Sequence, residues 1–555
     1  MSLKIRHSLR WFWLSMICLA PVAGGPLPDG GAPAFDVRAF GAAGDGRTLD
    51  TGAINQAIEA AAAAGGGTVY FPAGIYASHS IRLRSNIALY LGPGATILAA
   101  DPPPEGAAGG YDAPEPCPFD QYQDFGHSHW HNSLIWGENL ENVSILGPGM
   151  IFGRGLSRGF GRKDPPPGEP QLPWPPELPP LKPGDPLPGP FGLPDARDAL
   201  PAGVGNKAIA LKNCRGVILR DFTIFHGGHF GILATGVDNF TIDNLKIDTN
   251  RDGIDVDCCR NVRISNCTVN SPNDDGICLK SSYGLDEIRA TENVTIANCQ
   301  VSGFEEGTLL DGTYQRRPPP RGPVGRIKFG TEANGGFKNI TIANCVFVYS
   351  LGLALEEVDG GAMEDVTITN LAMREIPHAP IFIRLGARSR GPDHPPVGKA
   401  RRILISNVVA SDVMFFQGIL ISGIPGHAIE DVTLSNILIQ FQGGGTAEQA
   451  ARVVPELERD YPEAGNFGIL PAYGLFARHV RGLSVRDVRF ELLQDDRRPA
   501  VILDDVTGAD FDHFQAPSAT GVSALVLKNV TGLDVRHSPG LPDTCREQTV
   551  PEDRL

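Results

Sequence analysis

The stretch Asn250–Lys280, NRDGIDVDCCRNVRISNCTVNSPNDDGICLK, contains one short pattern twice. Asn-Arg-Asp-Gly-Ile-Asp-Val-Asp at Asn250–Asp257 returns as Asn-Asp-Asp-Gly-Ile-Cys-Leu-Lys at Asn273–Lys280. Each copy ends in alternating apolar residues, a pattern that predicts a β-strand. We interpret the two copies as adjacent coils of one repeating structure, with the aspartates that precede each glycine gathered on its outer face.

A second pattern extends this repeat along the chain. An apolar alternation followed by asparagine recurs at unequal intervals, of which Asn244 to Asn266 is the shortest, at Asn244, Asn266, Asn298, Asn344, Asn370, Asn407 and Asn436. A short coil with insertions of variable length is typical of a parallel β-helix, and the chirality of parallel crossovers makes it right-handed. Because the asparagines recur at one turn, we expect their amides to stack in a ladder.

The predicted fold class is therefore all-β, a single-stranded right-handed parallel β-helix solenoid with a short N-terminal α/β cap. Residues 34–100 form the predicted cap, in which a helix from Asp50 or Thr51 to about Ala63 covers the end of the apolar stack. We assign 101–540 to the β-helix catalytic domain and 541–555 to a C-terminal tail.

The segment 1–24 has the pattern of a signal peptide. Lys4, Arg6 and Arg10 precede an apolar run over 11–22 and small residues at 23–25. This pattern predicts a secreted or periplasmic protein without a membrane segment after signal removal; an uncleaved anchor is the alternative. The net charge of −15 argues against binding to nucleic acid.

The ten cysteines leave two alternatives open. Four of them follow a repeat asparagine, so stacked buried thiols explain the pattern as well as disulfides do: Cys214, Cys267, Cys299 and Cys345. The sequence contains no Cys-x-x-Cys pair, so we expect no zinc site.

Strand alternation places the charged residues on one outer face. Apolar residues such as Ile254 and Val256 point inward, and their neighbours point outward. The outer face then carries Asp252, Asp255, Asp257, Asp274, Asp275, Lys280, Arg326, Lys328, Glu356 and Arg384. The repeat offset puts Asp252 directly beside Asp275.

Three neighbouring carboxylates, Asp252, Asp274 and Asp275, favour acid–base chemistry. If all three were charged they would repel one another, so at least one pKa should be raised. A protonated acid beside ionised neighbours is what glycoside hydrolysis needs. The alternatives are a structural role in turns and a Ca²⁺ site.

Basic residues on the same face predict an anionic substrate. Arg326 and Lys328 would bind a uronate carboxylate; alternatively they form an ion-pair network with Asp255 and Glu356. We also predict substrate contacts for Lys280, on the same face, and for His229, one coil before Asp252.

Three further stretches have functions that the sequence does not decide. His127, His129 and His131 flank Trp130 and predict a metal site, a sugar contact or an ordinary surface loop. The proline-rich stretch 164–201 predicts a long loop, and with 446–465 it would close one end of a cleft, which is consistent with exo-action.

At these motifs the sequence resembles glycoside hydrolase family 28, the polygalacturonase and rhamnogalacturonase family. Its Asn-x-Asp and Asp-Asp motifs match Asn250-Arg251-Asp252 and Asp274-Asp275, and Arg326-Ile327-Lys328 matches its Arg-Ile-Lys motif. The Gly-His-Gly motif expected before Arg-Ile-Lys is missing. The resemblance implies an inverting hydrolase of pectic polysaccharide, with Asp274 as general acid and Asp252 and Asp275 activating water.

This interpretation includes no cofactor and no metal, and a monomer whose partner is a pectic polysaccharide or oligosaccharide. Two other functions remain open. A pectate-type lyase would use Arg326 or Lys328 as its base, and a non-catalytic β-helix would only bind carbohydrate.

Overall fold

The computed structural model describes residues 34–104, 106–123, 127–158, 200–317, 322–414 and 416–555. The predicted signal peptide and almost all of the proline-rich loop lie outside these residues. Along the described part of the chain, no helix has the length and apolar character needed to cross a membrane.

The fold is an all-β, right-handed parallel β-helix with a short N-terminal α/β cap, as predicted. Successive coils pair in parallel with the coil before and the coil after. The face that carries the predicted site consists of Ile81–Arg82, Ile135–Glu138, Lys207–Lys212, Phe230–Thr235, Asp252–Asp257, Ile277–Ser281, Ile327–Ala333, Leu353–Glu357, Ile381–Leu385 and Ile419–Ser422.

Two further faces complete each coil. The second face begins with Ala34–Asp36, Gly67–Phe71, Ile87–Leu91, Glu141–Leu146, Arg215–Arg220, Asp238–Asp243, Arg260–Ser265 and Thr291–Ala297. The third face begins with Asp45–Leu49, Gly74–Ser78, Ala95–Ala99, Met150–Phe152, Thr223–Phe225, Lys246–Asp248, Thr268–Asn270 and Gln300–Ser302.

In the later coils the strands run on from one face to the next. These long strands are Phe337–Val348, Ala362–Ile376, Lys399–Val413, Ile429–Phe441, Leu475–Leu492, Val501–Asp512 and Leu525–Arg536. Thr544–Arg546 and Val550–Arg554 pair antiparallel with the last of them, and so cover part of its edge.

Helices are few among the described residues and lie outside the coils. Thr51–Ala63 buries Ile54, Ala57 and Ile58 against the first coils, as its apolar spacing predicts. The other helical segments are short: Ala447–Ala450 and the 3₁₀ turns Val37–Phe40, Asp120–Tyr122 and Ala464–Phe467.

The predicted asparagine ladder is present. From Asn298 to Asn436, each repeat asparagine donates its amide N–H to the asparagine one coil earlier, at 2.7–3.2 Å. All seven have φ between 51° and 57°, a left-handed conformation that asparagine tolerates better than most residues. A second ladder links Asn261, Asn293 and Asn339.

The inward residues form one continuous apolar core, which includes Ile254, Val256, Ile277, Leu279, Ile327 and Phe329. The nine cysteines of the described residues are all free. Cys214, Cys267, Cys299 and Cys345 are buried thiols, so stacking, rather than bridging, explains the asparagine–cysteine pairs.

Outward side chains at one register position of the first face form a column along the β-helix, and two loops dock on this column. Its register-paired members run Ala210, Leu233, Asp255, Cys278, Lys328, Ala354, Phe382, Leu420 and Phe476. The column is apolar at both ends and polar between.

A segment docks on each apolar end of this column. In the segment 127–132, Trp130 packs on Ala210 and Leu233. In the segment 446–470, Phe467 packs in a cluster with Ala354, Phe382, Leu420 and Phe476. The polar interval lies between the two docked segments and contains the candidate site.

Candidate active site

The three predicted catalytic carboxylates meet at one point. Asp252, Asp274 and Asp275 each present an oxygen within 4.8 Å of the others. The spacing of the two repeat copies sets this meeting, because Ile254 pairs with Ile277 and the Gly253 N–H donates to the Asp275 carbonyl. The Asp275 N–H also donates to Asp252 Oδ1 at 3.3 Å.

Asp275 lies between two cations. Arg326 Nε donates to Asp275 Oδ1 at 2.6 Å, and Lys328 Nζ lies 3.5 Å from Oδ2. Burial by itself would raise the pKa of Asp275, but Arg326 and Lys328 outweigh it and hold this pKa below its usual range. Arg326 and Lys328 therefore favour the ionised form of Asp275.

Asp252 has the opposite electrostatic environment. Burial, together with the neighbouring charges of Asp255 and Asp274, raises the pKa of Asp252 well above its usual range. The expectation that one of the three carboxylates has a raised pKa is thus met by Asp252. The sequence did not indicate which of the three it would be.

Asp274 is the most accessible of the three, with 20% of its side chain exposed. Arg251 Nη2 donates to its Oδ2 at 2.5 Å, and the Asp275 N–H donates to its Oδ1 at 3.1 Å. Both oxygens of Asp274 therefore accept hydrogen bonds within the protein.

A buried ion cluster lies beside Asp252. Lys280 Nζ is 3.7 Å from Asp255 and 3.5 Å from Glu332, and His127 contacts the same two carboxylates. Burial raises the pKa of Asp255 to about 7. For Glu332, Lys280 and His127 outweigh burial and hold the pKa well below its usual range.

The four predicted substrate-binding residues come together around the carboxylates. Arg326 and Lys328 contact Asp275, Lys280 contacts Asp255, and His229 lies within 4.8 Å of Asp252 and His127. Burial lowers the pKa of His229 well below its usual range, so its imidazole is neutral.

The outer face is much more covered than strand alternation alone suggests. Asp255, Lys280 and Lys328 expose 4% or less of their surface, because the docked segments lie over them. Arg384 does not reach the carboxylate group; it donates to the carbonyls of Glu456 and Leu457.

Two site residues were not predicted from the sequence, Glu463 and Tyr461, which come from the second docked segment. The length of the loop that carries them was the available signal, since no local pattern marks their contacts with residues so distant along the chain. His127, from the first docked segment, belonged to the alternating histidines whose function the sequence left open.

The three alternating histidines do not converge. His129 contacts Asp120 and His131 contacts Glu138, whereas His127 faces the carboxylate group. Two groups of side chains in the site have ligand atoms close enough to hold a cation: His127, His229 and Asp252, and the three catalytic candidates.

Comparison with known proteins supports the fold. Residues 34–103 match the family described as rhamnogalacturonase A/epimerase, pectate lyase-like, and residues 202–317 match the right-handed β-helix region. A probable polygalacturonase from Vitis vinifera is 24% identical over 423 residues, which are 72% of this chain and 73% of the relative.

The chain resembles glycoside hydrolase family 28. The Yersinia enterocolitica family 28 exopolygalacturonase superposes with a TM-score of 0.55 at 19% identity, over 88% of this chain and 78% of that one. The exo-poly-α-D-galacturonosidase of Dickeya chrysanthemi is 23% identical over 63% of this chain, which spans 57% of that relative. At such identities the structural likeness to the family 28 enzyme establishes the fold, and the site must be argued from its own chemistry.

Proposed function

We propose that the protein is an inverting glycoside hydrolase that cleaves glycosidic bonds in pectic polysaccharides or oligosaccharides, of galacturonide or rhamnogalacturonan type. The observation that carries this proposal is the meeting of Asp252, Asp274 and Asp275 within 4.8 Å, with Asp275 ionised between two cations. The polygalacturonase relatives support the choice of substrate class.

In the proposed reaction Asp274 acts as the general acid. Its proton passes to the glycosidic oxygen as the bond from that oxygen to the anomeric carbon breaks. A water held by Asp252 and Asp275 attacks the anomeric carbon, and its proton passes to Asp275. Asp275 is suited to this role because Arg326 and Lys328 keep it ionised.

Arg251 must move for Asp274 to act. A proton donor has to present a hydroxyl to the glycosidic oxygen, and Arg251 and the Asp275 N–H engage the two oxygens of Asp274. A substrate carboxylate that attracts Arg251 would free Oδ2 for this contact. This requirement favours a uronate near the cleaved bond.

One geometric observation favours a second mechanism. Inverting enzymes usually separate their two carboxyl groups by roughly 6.5–9.5 Å and retaining enzymes by about 5 Å, and here the nearest oxygens lie within 4.8 Å. Attack by Asp275 on the anomeric carbon, as the glycosidic bond breaks, would form a covalent glycosyl-enzyme. Hydrolysis of that ester by water would then give retention overall. Proton NMR of the first product formed distinguishes the two: the proposal predicts the inverted anomer, and the retained anomer overturns the inverting mechanism.

The substrate-contact roles of Arg326, Lys328, Lys280 and His229 remain part of the proposal. All four lie around the carboxylates and are buried. Export, a monomeric state and independence from cofactors also remain predictions.

Product analysis tests the reaction class. The protein is incubated with homogalacturonan, rhamnogalacturonan and their oligomers, and product lengths are determined. We expect new reducing ends without near-ultraviolet absorption. Unsaturated, absorbing ends would instead indicate a lyase, and binding of these glycans without cleavage would indicate a carbohydrate-binding protein.

A further inference from the structure

We propose that Glu463, delivered by the segment 446–470, is a positioning residue that fixes the guanidinium of Arg326 on Asp275. This inference rests on the proposed function only for the role of Asp275 as base. Neither a strand nor a motif of the repeat carries Glu463.

The hydrogen bonds of Arg326 are divided unequally between two carboxylates. Its Nε donates to Asp275 at 2.6 Å, while Nη1 and Nη2 both donate to Glu463, the latter at 3.0 Å. The fork of the guanidinium therefore lies on Glu463, and Asp275 receives a single bond. Because a bidentate carboxylate fixes the plane of a guanidinium, Glu463 sets the direction in which Nε points.

The charge balance requires Glu463 as well. Arg326, Asp275 and Glu463 each expose 3% or less of their side chains. Between two buried carboxylates, the cation has an acceptor for each of its three nitrogens, whereas a lone buried guanidinium would carry unpaired donors at a large cost. Without Glu463, turning toward solvent would stabilise the Arg326 side chain more than keeping one hydrogen bond to Asp275 would.

The same segment also contacts the second cation of Asp275. The Tyr461 hydroxyl lies 3.4 Å from Lys328 Nζ and 2.7 Å from Thr331 Oγ1. Two residues of one segment thus reach the two cations that hold Asp275. A loop that served only to cover the cleft would need neither contact.

The β-helix holds Glu463 in a fixed place. Gln417 donates to the carbonyls of Ala464 and Gly468, at 2.6 and 2.9 Å, and Phe467 is buried in the second apolar cluster. These contacts therefore hold Glu463 in position, and Glu463 in turn holds Arg326.

The experiment measures kcat and kcat/KM against pH for Glu463→Ala and Glu463→Gln, with Glu458→Ala as a matched control in an exposed part of the same segment. Asp275 must be ionised to act, so activity falls as the pH drops through its pKa. Loss of Arg326 from Asp275 raises that pKa, and the acid limb of Glu463→Ala should move up by about one pH unit with kcat about tenfold lower.

Glu463→Gln keeps an acceptor for Arg326 and should show a smaller shift than Glu463→Ala. Glu458→Ala should match the wild type. Unchanged acid limbs in both Glu463 variants would overturn the proposal. The other titratable and charged groups around Asp275 and Glu463 are the same in all variants: Asp252, Asp255, Asp274, Lys280, Lys328, Glu356 and His378.

A crystal structure of Glu463→Ala tests the positioning role independently of any turnover. The proposal predicts that Arg326 Nε leaves Asp275. If Arg326 stays in place, the positioning role is wrong even if the protein is a hydrolase. If Arg326 moves but no pectic substrate is cleaved, the positioning role stands and the proposed function fails.

Discussion

Asp275 is the residue on which the local charges converge. Two cations face it, and a second carboxylate, Glu463, holds one of them in place. Asp252, only one hydrogen bond away, lies among carboxylates instead and its pKa is raised. Adjacent carboxylates thus have pKa values shifted in opposite directions because their partners differ.

Lys328→Met should shift the pH dependence of catalysis. Lys328 lowers the pKa of Asp275, so its removal raises that pKa and the acid limb of kcat/KM should move up by roughly one pH unit. Lys338→Met, at a half-exposed lysine paired only loosely with Glu364, should leave the limb in place. An acid limb that is identical in both variants would argue against Asp275 as the base.

Glu356 should make stability depend on pH. Burial raises its pKa to about 7 in the folded protein, so the folded state keeps a proton that an unfolded glutamate loses near pH ~4.3. The resulting stabilisation is complete below the unfolded pKa and is lost as the pH rises through the folded one.

Because glutamine stays neutral, the melting temperature of Glu356→Gln should rise relative to that of the wild type as the pH increases from 5 to 8. Thermal unfolding at several pH values measures this difference. Glu364→Gln is the control, because arginines lower the pKa of Glu364 and it titrates below this window. A constant difference for Glu356→Gln would show that Glu356 is ionised throughout.

Among elements, the turn that carries the asparagine ladder shows why one residue type recurs. Asn370 has a φ of 57°, donates to Asn344 and accepts from Asn407, both at 3.0 Å. The position needs a residue that tolerates left-handed backbone and offers both a donor and an acceptor, and asparagine does both.

Asn370→Ala should lower the free energy of unfolding by about 2–3 kcal/mol, since it loses two hydrogen bonds of ~1 kcal/mol each and places a β-carbon at positive φ. Asn370→Gly should cost less, because glycine accepts this φ. Urea unfolding gives both values. Equal losses would mean that the backbone strain is unimportant, and no loss in either would contradict the ladder.

The outward column of the first face explains both what sequence analysis could predict and what it missed. Register follows from a local repeat, so the meeting of Asp252 with Asp275 was predictable from the spacing of the two copies. The placement of His127 and Glu463 depends on where their segments dock. The docking site of the Glu463 segment forms only when distant coils stack Ala354, Phe382 and Leu420 into one apolar strip, and that of the His127 segment only when Ala210 and Leu233 stack.

Over the whole molecule, stability comes from stacked coils rather than from covalent crosslinks. The continuous core and the two asparagine ladders run through many coils, and the nine described cysteines are free. Periodic asparagine and apolar residues made this architecture predictable. Whether the cysteines are free or paired was not predictable, because stacked thiols and disulfides are both compatible with the same spacing in the sequence.

Thiol labelling tests whether the described cysteines are free. In the native protein a thiol reagent should modify exposed Cys545 and, more slowly, the partly buried Cys117. After unfolding without reductant, all nine described cysteines should react, as mass spectrometry of peptides would show. Cysteines that react only after reduction would reveal disulfides and contradict the structure.

The central claim is that Asp274 transfers a proton in the hydrolysis of a pectic glycosidic bond. The most direct measurement compares wild type, Asp274→Asn and the exposed-site control Asp286→Asn for cleavage and for binding of galacturonide and rhamnogalacturonan oligosaccharides. We predict that Asp274→Asn lowers kcat by about 10²–10⁴-fold with binding changed only slightly, and that Asp286→Asn matches the wild type. Full activity in Asp274→Asn would contradict the claim.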